Sequence, residues 1–136
     1  MELKTDKIRA CFDRKIGNFT ELWNLSTNTN YVRCAPRDPL IELYGLKNGE
    51  RVKLSGHISD VAEAPDALIL SYDSFGEYDI SAKVTCRCEQ DRLVFSAEIC
   101  NHSTIDVTEI LMPHLGGIYL GNGQKDYLIY PHHAGD

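Results

Sequence analysis

Basic charge is what this chain most plainly lacks: 14 Lys and Arg stand against 20 Asp and Glu, a formal net charge of −6 at pH 7. Duplex DNA and anionic membrane surfaces are recognised through a basic face, so no nucleic-acid and no membrane partner is expected. No apolar run approaches the ~18 residues of a membrane span. The opening residues 1–15 carry charges throughout and contain no apolar h-region, so no secretory signal is read there. Helical signals are missing as well. No segment sustains a helical apolar period, and no capping box leads into an apolar stripe.

Catalytic and metal signatures are equally scarce. There is no HExxH, no His-x-His, no Gly-x-Ser-x-Gly, no Walker loop and no dinucleotide fingerprint. Gly116-Gly117 and Gly121-x-Gly123 read as hairpin glycines, because no helix follows them to cradle a phosphate. The five cysteines are an odd number, and Cys86 and Cys88 would sit side by side on one strand face, a poor geometry for a mutual bridge. No second pair stands at zinc-ligand spacing. The expectation is reduced thiols in a cytoplasmic protein, with Cys86 and Cys88 buried as small hydrophobes and with neither metal nor cofactor.

What the chain does have is period-two patterning. Residues 79–113 organise the rest. Ile80, Ala82, Val84, Cys86 and Cys88 alternate with Ser81, Lys83, Thr85 and Arg87, the mark of a strand with one buried and one wet face. Glu89-Gln90-Asp91 supplies a turn, and Leu93, Phe95, Ala97 and Ile99 resume the alternation. Asn101-His102-Ser103-Thr104 supplies a second turn before a run ending at Pro113, which has no donor with which to continue in a sheet. Three consecutive antiparallel strands are expected here.

The flanks read the same way. Residues 8–13 and 19–25 form an N-terminal hairpin about the Gly17-Asn18 turn, its second strand carrying the only tryptophan, Trp23. Pro36 and Pro39 keep residues 31–39 irregular. Lys47-Asn48-Gly49-Glu50 is a strong hairpin turn between strands at 40–44 and 51–55, since Asn-Gly accepts positive φ at both central positions. Residues 57–61 extend that second strand past a bend at Gly56, residues 62–66 form a loop, and 67–72 form a strand buried on both faces. Residues 73–77 turn into the central strands, and short strands at 118–120 and 127–130 close the chain. About ten strand candidates at this spacing predict an all-β fold: one domain over residues 1–136, with two antiparallel sheets packed as a β-sandwich.

Few residues stand out for chemistry. His132 and His133 adjoin Asp136 and follow His114, but neighbours on an extended backbone point to opposite faces and would not share one metal. Glu98 and Glu109, on adjacent expected strands, could face each other as a carboxylate pair, although ordinary solvent-facing positions account for both. Trp23, Tyr44, Tyr72, Tyr119, Tyr127 and Tyr130 offer rings on which a sugar could stack, and are equally at home in a sandwich core. No catalytic residue is assigned.

Three stretches carry a resemblance: Leu93-Val94-Phe95-Ser96-Ala97-Glu98-Ile99-Cys100-Asn101-His102-Ser103, Val107-Thr108-Glu109-Ile110-Leu111-Met112-Pro113-His114-Leu115-Gly116-Gly117, and Leu128-Ile129-Tyr130-Pro131-His132-His133-Ala134-Gly135-Asp136. With Phe12-Asp13, Gly17 and Trp23-Asn24, they resemble the N-terminal galactose-mutarotase-like sandwich of bacterial glycoside hydrolases in which a TIM barrel follows. The resemblance implies a supersandwich, present in whole or in part, and a non-catalytic accessory module. Its expected partners are a carbohydrate or a catalytic domain C-terminal to it. The abrupt end after a strand-like segment fits an N-terminal piece of a longer protein, and the isolated chain is expected to self-associate. The expected carbohydrate contacts are Trp23, Tyr130, His132 and His133. The alternatives are a free-standing carbohydrate-binding module and a small aldose-epimerase-like enzyme with a histidine as acid and base.

Overall fold

The computed structural model describes residues 1–119. Among them are eleven strands and no helix: β1 (Glu2–Lys4), β2 (Ile8–Phe12), β3 (Phe19–Asn24), β4 (Thr29–Asn30), β5 (Glu42–Lys47), β6 (Glu50–Leu54), β7 (Gly56–Glu63), β8 (Ala67–Phe75), β9 (Ile80–Glu89), β10 (Arg92–Asn101) and β11 (Asp106–Leu111). All pairings are antiparallel. The expected strands at 118–120 and 127–130 lie wholly or partly outside the described residues.

The fold is the expected all-β sandwich, but its ladders separate into three sheets where two were expected. The orders are β1-β2-β3-β4, β10-β9-β8-β7 and β11-β5-β6. Two sheet changes produce the third. At Ser55 the chain leaves β6 and enters β7 in the second sheet, so residues 57–61 do not prolong β6 as the sequence pattern suggested. After Asn101 it leaves the second sheet and β11 pairs with β5, so the three-stranded meander expected over 79–113 is a two-stranded one. The physical reason is Ile105. Its side chain is buried at the foot of β5, with Cδ1 3.1 Å from where Gly45 would carry a Cβ, and it draws the chain across. Asn101 braces the crossing by donating from Nδ2 to the Ile105 carbonyl at 2.8 Å.

The first two sheets form the sandwich. The inward row of β9 (Ile80, Ala82, Val84, Cys86, Cys88) is buried throughout, as its alternation required. Leu68, Leu70 and Tyr72 continue that surface on β8, and Leu3, Ala10, Phe12 and Phe19 of the first sheet cover it. Phe19 bridges the layers, 4.7 Å from the Phe12 ring and edge-on to Phe95 of β10 at 6.1 Å. Burial of such side chains, about 1.5–3 kcal/mol each, is what holds strands of so few residues together. The Asn48-Gly49 turn has φ of 54° and 83°, the paired positive values expected of a tight hairpin. The turn placed over 73–77 is narrower, because β8 runs on through Phe75. Likewise β7 runs through Glu63 and shortens the loop expected over 62–66.

Candidate functional site

Trp23 stands on the outward face of the first sheet. Its cross-strand partner is Arg9, and the next pair along is Cys11 and Glu21, while the intervening Ala10 is fully buried on the opposite face. This alternation collects Glu2, Arg9, Cys11, Glu21 and Trp23 into one row. The Trp23 indole donates from Nε1 to Glu21 Oε2 at 2.7 Å, and Arg9 Nη2 reaches the same oxygen at 3.0 Å. Arg9 Nε donates to Glu2 Oε2, also at 3.0 Å. The half-buried ring is thus fixed at its polar edge beside a run of donors and acceptors. Burial pushes the Cys11 thiol above its ordinary pKa, against the pull of Arg9.

Beside this face the sandwich opens laterally. A groove of about 390 Å³ runs between the first sheet and β10, lined by Ile8, Phe19, Leu22, Leu93, Phe95 and Leu115. Trp23 and Tyr31 border it, and Lys7, Asn24, Asp91 and Arg92 supply its polar rim. It exists because the inward side chains of β3 and β10 remain only half-buried where the two layers diverge.

A second constellation lies on the third sheet. Glu42 sits in an apolar run and is 2% exposed, yet it is well partnered. Lys53, opposite Tyr44 on β6, donates a hydrogen bond to Oε1, and Tyr44 donates to Oε2 at 3.0 Å. His114 Nδ1 lies 3.3 Å from Oε1, buried but not aligned for a hydrogen bond. Burial alone would raise the Glu42 pKa. The Lys53 and Tyr44 hydrogen bonds, with the field of His114 and Lys53, outweigh it and hold the carboxyl below its ordinary value. His114 is set by its backbone: its N–H donates to the Leu40 carbonyl, and its carbonyl accepts from buried Asn18, both at 2.8 Å. Arg51 covers the Tyr44 ring with its guanidinium 3.6 Å from the centroid, and binds Glu109 Oε2 through Nη2 at 2.8 Å. An ionised carboxylate against an imidazole is an arrangement that can orient a proton-transfer group.

Of the four expected carbohydrate contacts, Trp23 lies on this described surface, and Tyr130, His132 and His133 lie outside the described residues. Glu98 and Glu109 do not face each other, because β11 left the sheet that holds β10, and Glu109 pairs with Arg51 instead. Tyr72 is a core residue and no surface platform. Among the described residues no group of His, Cys, Asp and Glu could hold a metal. The Glu42–Lys53–His114 cluster was missed by sequence reasoning. Its one visible signal was a carboxylate inside the apolar stretch Leu40-Ile41-Glu42-Leu43. No protein-family model, no curated protein and no solved structure matches the chain.

Proposed function

We propose that this chain is a non-catalytic β-sandwich module that binds carbohydrate at the Trp23 face, as an accessory part of a glycoside hydrolase-like protein of the galactose-mutarotase-like kind. The observation that carries the reading is the fixed indole flanked by Glu21, Arg9 and Glu2. A sugar ring needs an apolar platform for its C–H face and charged partners at its edge for its hydroxyls, and this row supplies both. Trp23 is the only tryptophan, so its fluorescence reports the platform directly. Titration with an oligosaccharide panel should change that emission, and Trp23→Ala should abolish binding measured by calorimetry. An affinity that survives Trp23→Ala rejects the platform.

A second reading rests on the 3.3 Å approach of His114 to Glu42: a small epimerase-like enzyme with a histidine as acid and base. Polarimetry of anomer interconversion separates the two. Catalysis lost in His114→Ala favours the enzyme, and no rate above the buffer's removes it.

A further inference from the structure

Where the three sheets meet there is a second cleft, of about 240 Å³, away from the Trp23 face. Its basic groups come from separate elements: Lys15 from the turn after β2, Arg37 from the 31–39 loop, Lys53 from β6 and His57 from β7. Asp38 is the acidic residue among its lining, and Ser55 adds a hydroxyl. Neither Lys15 nor Arg37 has an ion-pair partner among the described residues, whereas Lys53 is tethered by buried Glu42. In a chain of net charge −6, this gathering of cations is local and opposite in sign to the whole. A second observation points to an occupant. Tyr72 lines the cleft, is 2% exposed, and its buried hydroxyl has no hydrogen-bond partner among the described residues. Buried hydroxyls are seldom left so, and a bound polar group offers the missing partner.

We propose that this cleft binds the phosphate group of a small molecule, with Lys15, Arg37 and Lys53 as its cationic clamp and Tyr72 as a donor at its floor. Three cations converging from different strands and loops suit an anion with several oxygens at once, and exceed what a single carboxylate can engage. The inference is independent of the carbohydrate reading, since it shares no residue with the Trp23 row.

The test is a titration of the full chain with inorganic phosphate, a sugar phosphomonoester and acetate, at matched ionic strength, followed by amide chemical shifts and by melting temperature. Phosphate or the phosphomonoester should shift the amides of residues 15, 37–38 and 55–57, and the tighter of the two identifies the source. Arg37→Glu and Lys15→Glu, both at exposed positions, should each weaken binding about tenfold, as loss of one charge-assisted contact does. Lys83→Glu, on the outward face of β9, should leave binding unchanged. Tyr72→Phe should reduce the thermal shift that phosphate confers, which a merely structural hydroxyl would not do. Three results overturn the proposal: no binding by either phosphate compound up to about 10 mM, acetate binding equally well, or Arg37→Glu binding as tightly as the parent.

Discussion

Gly56→Ala offers a test of the joint between the second and third sheets. A Cβ built on Gly56 would lie 2.7 Å from Phe75 Cε1, 2.8 Å from Cδ1 and 3.0 Å from Cζ. The first two are closer than real Cβ atoms come, and the third is tighter than most. The Phe75 ring has nowhere to go: it is 0% exposed and stacks on Tyr72 with centroids 5.5 Å apart. The backbone is equally held, since the neighbouring Ser55 carbonyl accepts from Gly76 N–H at 2.7 Å. Overpacking of this kind costs about 1–3 kcal/mol, and the lost glycine entropy of the unfolded chain returns about 0.4–1. The net expectation is a loss of about 1–2 kcal/mol, read as a fall in melting temperature of about 3–10 °C. The cause is checked by a double-mutant cycle. Phe75→Leu alone should cost about 1–2 kcal/mol through the space it leaves, and in that background Gly56→Ala should be close to neutral. Urea unfolding followed by Trp23 fluorescence gives the four free energies. If Gly56→Ala is harmless, or equally harmful with and without the Phe75 ring, the packing described for this joint is wrong.

Three other outcomes are expected. The Glu42 carboxyl has its pKa lowered in the fold from an ordinary 4.5, so its contribution is present above that pH and is lost as pH falls through the folded value. Glu42→Gln should therefore cost about 1–3 kcal/mol at pH 7 and flatten the acid limb of a stability-against-pH curve; an unchanged limb counts against it. Cys86 behaves in the opposite sense, since burial, aided by Cys88, pushes its thiol from 9.0 up to about 12. Between those pH values the unfolded chain releases a proton that the folded chain keeps, so stability falls as pH rises, by at most about 4 kcal/mol from this group. Burial likewise pushes the Tyr72 hydroxyl up to about 12. The urea midpoint should thus drop steeply over that range in the parent and less so in Cys86→Ala. Finally, a thiol reagent should modify the exposed Cys34 and Cys100 quickly, and the buried Cys86 and Cys88 only after denaturant is added. Fast reaction of all the cysteines in native buffer would contradict the burial of β9.

How much was legible varies by element and for identifiable reasons. The inward row of β9 could be read residue by residue, because a strand with one wet face writes its burial into every second position. The Asn48-Gly49 turn was legible because its chemistry is local. β1 was missed: in Glu2–Lys4 only Leu3 is apolar, and one residue makes no period. Glu42 was missed because a buried carboxylate is tolerated only when it is partnered, and two of its partners, Lys53 and His114, are distant in sequence, so the pattern of its own strand shows at most Tyr44. Trp23 was picked out for its ring alone, and its bond to Glu21 follows once β3 is known to be extended, since residues two apart share a face.

The amino-acid order by itself determined that this chain is built of antiparallel strands, where most of them lie, and, on β9, which side chains turn inward; on β8, read as buried on both faces, only Leu68, Leu70 and Tyr72 of residues 67–72 are buried. Those properties are fixed over two to ten residues by alternation and turn chemistry. Which strands share a sheet was decided only in three dimensions. The chain changes layer at Ser55 and again before Ile105, and each change depends on a distant group, Phe75 against Gly56 and Gly45 above Ile105. Period-two patterning says that a face is buried; it cannot say against what, and so the third sheet, the Glu42 cluster and the cationic cleft belong to the tertiary structure alone.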